Sequence, residues 1–365
     1  MIIQQNLCNN RIMKKLKDFE KEINKCSKCG LCQQACPIFQ ITGNECAVSK
    51  GKFTMLSGAL KGDIPLNKDI DKYLDLCTKC NKCSNFCPAG INVCEIFQTA
   101  KYEYLKPKIS YNILKFFQSK LIFDNIIYIG NLISNIFRIK NNTKQTDILY
   151  FKGCANKIYP KCENALKKIL KKANITLTEV DFSCCGQPFF SSGNLERFEE
   201  VKEKNTKLIN NSSAKYILTD CASCDSTLKS YGTITKEFIT AEKLLTQTNL
   251  TFSFNKLQKV AFHKPCHMDN TDIIEKLKTQ CKNVEFIEIP DTCCGLAGEF
   301  FIKNPKISAQ IAKQRAEEIL SSGVEIVLTS CPACEIGLKK ALFGTKVKIY
   351  NTIEFLLKTS NIQTI

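Results

Sequence analysis

The run Cys26-Ser27-Lys28-Cys29-Gly30-Leu31-Cys32-Gln33-Gln34-Ala35-Cys36-Pro37 is repeated in outline at Cys77-Thr78-Lys79-Cys80-Asn81-Lys82-Cys83-Ser84-Asn85-Phe86-Cys87-Pro88. Both follow Cys-x-x-Cys-x-x-Cys-x-x-x-Cys-Pro. This is the ligand spacing of two-cluster bacterial ferredoxins, in which three close thiolates wrap one 4Fe–4S cube and the fourth crosses to the other. The spacing therefore predicts one cluster on Cys26, Cys29, Cys32 and Cys87, and another on Cys77, Cys80, Cys83 and Cys36. Structural zinc uses two cysteine pairs rather than a fourfold run ending in Cys-Pro. A disulfide framework belongs to secreted chains.

Working outward, the chain has 365 residues, enough for two to three domains, and 23 cysteines. It is 44% hydrophobic and 24% charged, which is ordinary for a globular protein. Met1 to Lys17 has no apolar core and no small-residue cleavage site, so no secretory signal is expected. The expected location is the cytoplasm, either free or peripheral at the inner face of the membrane. The formal net charge is +17. Its lysines are spread along the chain rather than grouped in a stripe, and thiolate ligation of iron would offset part of the excess. Nucleic acid is therefore not an expected partner. Lys25, Lys28, Lys79 and Lys82 lie inside the ferredoxin runs. They are either plain surface lysines or a charge that raises cluster potential and attracts an acidic donor.

The expected fold class is α + α/β, with four sections. Residues 1–100 form a helical ferredoxin-like domain, with helices over Met13–Asn24, Val48–Leu60 and Asn67–Leu76. Residues 101–146 form a helical linker. Its Leu121–Phe137 stretch is apolar but holds Asp124, Asn125, Asn131 and Asn135, too polar to span a bilayer. It reads as a packed linker helix, or as one that docks a partner or a membrane surface.

Residues 147–250 and 251–365 form two cysteine-rich lobes, because the order of signals repeats. A strand over Asp147–Lys152 leads to Cys154, and Lys259–His263 leads to Cys266. Glu179–Ser183 leads to Cys184-Cys185-Gly186, and Glu288–Thr292 to Cys293-Cys294-Gly295. Lys215–Asp220 leads to Cys221 and Cys224, and Val324–Ser330 to Cys331 and Cys334. Helical patterns lie between them at Ala155–Ala173, Asn194–Asn210, Asp269–Cys281 and Pro305–Ser322. Each half reads as a β-α-β-α-β-α unit with its cysteines at the carboxyl ends of strands, the ligand edge of an open α/β sheet.

Five thiols per lobe exceed the needs of one tetrahedral zinc. One or two further iron–sulfur clusters fit the count better, with structural zinc or incidental buried cysteines as the alternative. Gly186 and Gly295 follow each adjacent pair, where the backbone needs room or a positive φ. The only two histidines, His263 and His267, flank Cys266. They read as tuning, ligating or proton-shuttling groups, or as loop residues that shape the turn. Cys8, Cys46, Cys94, Cys162 and Cys281 have no motif partner and read as small hydrophobes.

With these motifs in place, the chain resembles the glycolate oxidase iron–sulfur subunit family over nearly its whole length. Carrying the resemblance are Cys29-Gly30-x-Cys32, Gly43-x-Glu45, Lys50-Gly51-Lys52, Tyr73-Leu74-x-x-Cys77, Cys87-Pro88-x-Gly90 and His263-x-x-Cys266-His267. The related iron–sulfur subunits of anaerobic glycerol-3-phosphate dehydrogenase, heterodisulfide reductase and lactate utilisation share the paired Cys-Cys-Gly domains. The resemblance implies an electron relay from a FAD-bearing oxidase subunit that takes a 2-hydroxy acid such as glycolate or D-lactate. Its outlet would be the quinone pool or another membrane acceptor. The intact Cys331-Pro332-Ala333-Cys334 resembles the heterodisulfide reductase type, which implies thiol–disulfide chemistry instead. No Gly-x-Gly-x-x-Gly follows a strand, so no flavin is expected on this chain, and alone it should not oxidise the hydroxy acid.

Overall fold

The computed structural model describes residues 14–137, 146–182, 184–268, 272–359 and 361–364. Cys8 and part of the expected linker lie outside the described residues. The chain divides into two units. One joins the residues up to Cys77 with Asn81–Asn112, and the other joins Thr78–Cys80 with Ile113–Ile365.

The first unit is helical, with α1 (Glu20–Asn24), α2 (Leu31–Gln34), α3 (Pro37–Thr42), α4 (Ser49–Lys61), α5 (Lys68–Asp75), α6 (Lys82–Asn85) and α7 (Val93–Leu105). α8 (Ile109–Phe117) begins in this unit and ends in the next. The helix expected from Met13 opens instead as a 3-10 turn over Leu16–Phe19. Pro37 takes the first position of α3, where its fixed φ starts a helix that has no use for the missing N–H; Pro88 of the second run lies in a turn instead. The core gathers Phe19, Ile23, Phe53, Leu56, Ile70, Leu74, Ile96 and Phe97. Lys101, fully buried, is held by an ion pair to Asp75.

In the second unit a π-helical turn (Lys120–Asp124) leads into α9 (Asn125–Ser134). The first lobe follows with β1 (Ile148–Tyr150), α10 (Cys154–Ile158), α11 (Lys161–Lys172), β2 (Thr178–Glu179), α12 (Gln187–Ser192) and α13 (Leu195–Asn210). β3 (Tyr216–Thr219), α14 (Ala222–Ser230), β4 (Glu237–Thr240) and α15 (Ala241–Thr246) complete it. The second lobe runs β5 (Leu250–Phe262), α16 (Asp272–Gln280), β6 (Cys281–Phe286), α17 (Phe300–Lys303), α18 (Pro305–Ser321) and β7 (Ile326–Thr329). It ends in α19 (Pro332–Ala341), β8 (Lys348–Asn351), α20 (Thr352–Leu357) and β9 (Asn361–Thr364).

The two sheets have matching order, β2-β1-β3-β4 and β6-β5-β7-β8, and every pair in them is parallel. β9 alone runs antiparallel, against β5. The duplication is therefore real in three dimensions. Each lobe has four parallel strands rather than the three expected, because a further four-residue strand, β4 or β8, pairs beyond β3 or β7. Among the described residues no regular strand reaches either Cys-Cys pair. β2 stops at Glu179 and β6 at Phe286, and in the second lobe Pro290 lacks the N–H a ladder needs. The helix expected over Ala155–Ala173 is broken where Tyr159 is extended (φ −133°, ψ 86°) ahead of Pro160. One apolar core is shared by both lobes: Tyr150, Leu166 and Ile169 from the first pack in one cluster with Phe252, Ile353 and Phe355 from the second.

Candidate iron–sulfur sites

In the first unit the loop around Cys26, Cys29 and Cys32 bends through left-handed residues at Lys28 (φ 58°) and Gly30 (φ 87°). The second run repeats the bend at Lys79 (φ 54°) and Asn81 (φ 59°). These bends turn successive cysteines inward. Cys26, Cys29, Cys32, Cys83 and Cys87 line one cavity, floored by Phe53, Ile91 and Val93. Burial pushes the Cys32 thiol up, with Cys26 and Cys29 close enough to add to the effect. Burial does the same to Cys36, whose thiol neighbour is Cys77. Cys80 is buried and belongs to the Thr78–Cys80 segment counted with the second unit.

Five of the ten lobe cysteines lie at the N-cap or in the first turn of a helix: Cys154, Cys221, Cys224, Cys331 and Cys334. Cys154 opens α10, and Cys221 and Cys331 are the N-caps of α14 and α19. There the backbone N–H groups and helix dipole favour a thiolate. Gly186 (φ +86°) caps α12. In both lobes the glycine N–H points back to the first sulfur of the pair: Gly186 N lies 3.4 Å from Cys184 Sγ, and Gly295 N lies 3.3 Å from Cys293 Sγ. Gly153 leaves room for a sulfur, since a Cβ there would sit 3.1 Å from Cys224 Sγ.

These thiols do not form two separate sets. Cys154 Sγ lies 3.8 Å from Cys184 Sγ. Cys184 contacts Cys185, Cys185 contacts Cys224, and Cys224 contacts Cys221. Cys221 then reaches across the lobes to Cys331. Cys331 contacts Cys334, Cys334 contacts Cys294, and Cys294 contacts Cys293. Cys266 lies near Cys293. Donation by its thiol neighbours holds Cys185, Cys331 and Cys294 well below the usual thiol range. Their donors Cys184, Cys224 and Cys334 are pushed up, with burial adding to the effect. A buried file of sulfurs cannot ionise throughout without compensating cations. Soft, closely packed thiols are the donor set of iron–sulfur clusters, and they fit that group.

The histidines differ. His263 is buried, and its ring nitrogen, Cys294 Sγ and Cys334 Sγ gather within 4.8 Å of one another. Its Nδ1 accepts from Arg315 Nε at 3.2 Å. His267 Nδ1 lies 3.2 Å from Ser223 Oγ, a residue of the other lobe between Cys221 and Cys224.

Residues outside the motifs hold the loops. In the first lobe Asn205 Nδ2 donates to the Cys184 carbonyl (2.7 Å) and Tyr231 Oη to the Cys185 carbonyl (2.7 Å). Asp220 accepts from Tyr150 Oη at 2.7 Å and Asn156 Nδ2 at 2.6 Å. In the second, Arg315 Nη1 donates to the Pro290 carbonyl (2.6 Å) and to Thr292 (3.0 Å), and Ser308 Oγ to the Gly295 carbonyl (2.8 Å). Sequence reasoning missed all of them, since none carries a spacing signal. Among the unmotifed cysteines, Cys94 and Cys162 are buried and burial drives Cys281 up to about 12, as expected of small hydrophobes; Cys46 is exposed.

Comparison with known families agrees with this architecture. Residues 22–91 match a 4Fe-4S dicluster domain, and residues 148–229 and 260–339 each match the cysteine-rich CCG domain. The chain thus joins a 4Fe-4S dicluster domain to paired CCG domains. Among its relatives is one of the subunits of fumarate reductase (CoM/CoB) from Methanothermobacter marburgensis, 25% identical over 92% of this chain and 72% of its own. The glycolate oxidase iron-sulfur subunit of Escherichia coli is 21% identical, covering 87% of this chain and 90% of its own. One of the subunits of the dihydromethanophenazine:CoB–CoM heterodisulfide reductase of Methanosarcina acetivorans is 23% identical, covering 90% and 91%. A hypothetical protein from Helicobacter pylori shares the fold, with a TM-score of 0.54 at 11% identity over 94% of this chain and 74% of that one. These three relatives are subunits of oxidoreductases, and the Escherichia coli one is an iron–sulfur subunit. Among the described residues no helix is long and apolar enough to cross a membrane.

Proposed function

We propose that this chain is the iron–sulfur electron-transfer subunit of a flavin-linked 2-hydroxy-acid oxidase, of the glycolate or D-lactate type, working between a FAD-bearing partner and the quinone pool. The observation that carries the reading is the unbroken file of thiols from Cys154 to Cys293, in addition to the two ferredoxin runs. Bound there, iron–sulfur clusters supply one-electron transfer.

The chain's own residues bind and insulate. Cys26, Cys29, Cys32 and Cys87 would hold one 4Fe–4S group, and Cys77, Cys80, Cys83 and Cys36 the other. Cys87 shares a cavity with Cys26, Cys29 and Cys32, and Cys36 lies near Cys77, which supports that crossing; Cys83 lines the same cavity. Cys154, Cys184, Cys185, Cys221 and Cys224 would hold further iron in the first lobe. Cys266, Cys293, Cys294, Cys331 and Cys334 would do so in the second, with His263 as an added donor. Phe151, Phe182 and Phe189 pack around the first set and keep water from it.

A second reading rests on one observation: both lobes keep all five cysteines, and Cys221 meets Cys331 where they join. It makes the chain a thiol–disulfide oxidoreductase of the heterodisulfide reductase type. One experiment separates the two. The anaerobically purified chain and its complex with the FAD partner are assayed for glycolate and D-lactate oxidation, and the chain for disulfide reduction with a chemical electron donor. Activity of the complex alone, abolished toward quinone by Cys29→Ser or Cys80→Ser while substrate still reduces the flavin, supports the first reading. Disulfide reduction by the isolated chain replaces it with the second.

A further inference from the structure

The two lobes match in sheet order and in their cysteines, but they differ at a buried position beside the sulfurs. Phe151 stands three residues before Cys154, and His263 three before Cys266. The backbone N–H of Phe151 donates to the Leu218 carbonyl at 2.9 Å, and that of His263 to the Leu328 carbonyl at 2.8 Å, so both extend their strands in the same register. Phe151 is fully buried and packs on Phe182, ring centroids 4.7 Å apart. His263 is as deeply buried, but its ring meets Cys294 and Cys334. The bracing helices differ in the same way. Asn194 and Asn304 cap α13 and α18, and Asn205 and Arg315 follow them at the same interval. Asn205 is spent on the Cys184 carbonyl, whereas Arg315 reaches the ring of His263. In the second lobe a hydrogen-bonded pair thus stands where the first has a phenyl ring and a short amide.

Arg315 decides what the imidazole can do. A guanidinium only donates, so Nδ1, 3.2 Å from Arg315 Nε, has to offer a lone pair. A doubly protonated ring would turn two N–H groups on each other. The ring therefore carries its one proton on Nε2, and that N–H is left for the sulfurs. Cys294 receives it: donation from Cys293, Cys334 and then His263 holds this thiol low. Hydrogen bonds to the sulfurs are among the terms that set the potential of an iron–sulfur group, because an added electron builds charge on those sulfurs. Phe151 has no N–H to give.

We infer that His263, fixed in one tautomer by Arg315, donates a hydrogen bond from Nε2 to the Cys294 sulfur and makes the second lobe's iron–sulfur group easier to reduce than the first lobe's. Arg315 is the positioning residue. Reduction adds one electron and moves no proton, since the N–H stays on the ring. This rests on the reading that both lobes hold iron. It narrows the part given to His263 there: Nε2 gives a proton to a hydrogen bond, not a lone pair to iron.

The test uses the full-length chain, purified anaerobically with its iron and labelled with 15N-histidine. The lobes are followed by electron paramagnetic resonance during a redox titration. Cys266→Ser, which removes one thiolate of the second lobe, marks the signal that belongs there. That signal should appear at the higher potential. His263→Phe, which installs the first lobe's residue, should leave the iron content unchanged. It should lower the second-lobe reduction constant by about tenfold or more, about 59 mV for one electron, and leave the first-lobe signal in place. In the unaltered chain the 15N coupling from His263 should be weak. Three results would each overturn the inference. They are a second-lobe potential no higher than the first, a potential unmoved by His263→Phe, and a strong 15N coupling, the mark of nitrogen bound to iron. All three leave the electron-transfer reading standing. Iron in the ferredoxin runs with none in the lobes would overturn both.

Discussion

At the scale of single residues, Gly295 shows how tightly the cysteine loops are built. Its φ is +81°, and a Cβ would lie 2.7 Å from the Ser308 carbonyl oxygen. The left-handed conformation alone costs a side chain about 1–2 kcal/mol, and the backbone clash adds to it. Gly295→Ala should therefore lose about 2–4 kcal/mol in anaerobic denaturant unfolding, together with iron from the second lobe. Gly62→Ala is the control. It has the same sign of φ (+82°) but open space around it, so only the conformational cost of about 1 kcal/mol should appear. Glu242 carries a pH prediction. It is fully buried and accepts from Ser330, and burial raises its carboxyl above the ordinary 4.5. A carboxyl raised on folding stabilises fully below its unfolded value, and that contribution is withdrawn as pH climbs from about 4.5 toward the folded value. Melting temperatures of wild type and Glu242→Gln should be closest near pH 5 and diverge toward pH 8, with the variant the more stable. A constant gap across that range would show that Glu242 is not the group responsible. The ferredoxin cysteines were legible at this scale because spacing along one loop determines which sulfurs meet. Glu242 was not, because its partner Ser330 comes from the other lobe.

At the scale of elements, α18 acts as a brace. One buried side chain on it, Arg315, ties His263, Pro290, Thr292 and Glu318 together, and so joins the end of β5 to the loop before Cys293. Arg315→Met should cost about 2–4 kcal/mol, because the buried His263 ring nitrogen and the Pro290 carbonyl lose their donor while Glu318 keeps only Thr292 and Gln314. It should also alter the visible spectrum of the second lobe before it changes that of the first. Arg315→Lys should not rescue it, since one ammonium cannot reproduce the guanidinium's contacts to both His263 and the loop. An unchanged second-lobe spectrum in Arg315→Met would remove α18 from this role. α4, α5, α13 and α18 were visible in the apolar period. β4 and β8 were not: each is four residues long, sits last in its sheet order, and leads to no cysteine that would draw notice. The break at Pro160 is signalled only by the proline itself, because the helical pattern continues on both sides.

For the whole molecule, the repeat was legible as two lobes, but not their fusion. The file of sulfurs becomes continuous only where Cys221 meets Cys331, and no spacing rule within one lobe reports a contact between two. The shared core has a direct consequence for stability. Tyr150, Leu166 and Ile169 lose Phe252 and Phe355 if the chain is cut between the lobes. A fragment ending at Thr248 should show slow-exchange amides nowhere in β1 or β3 and bind little iron. Residues 146–365, by contrast, should fold and take up iron as a unit. Stable hydrogen-exchange protection in the short fragment would show that the first lobe stands alone.

The contact between Cys154 and Cys184, with sulfurs 3.8 Å apart, also sets a deadline on maturation. Before metal arrives, neighbouring thiols along the file need only lose two electrons and two protons to close as a disulfide, whose sulfurs sit about 2.05 Å apart. Oxidant and iron thus compete for the same atoms in the newly made chain, and a single closed pair would interrupt a file that depends on every link. The protein's vulnerability to air is greatest while it is still empty, so its synthesis has to be timed to its supply of iron and sulfide.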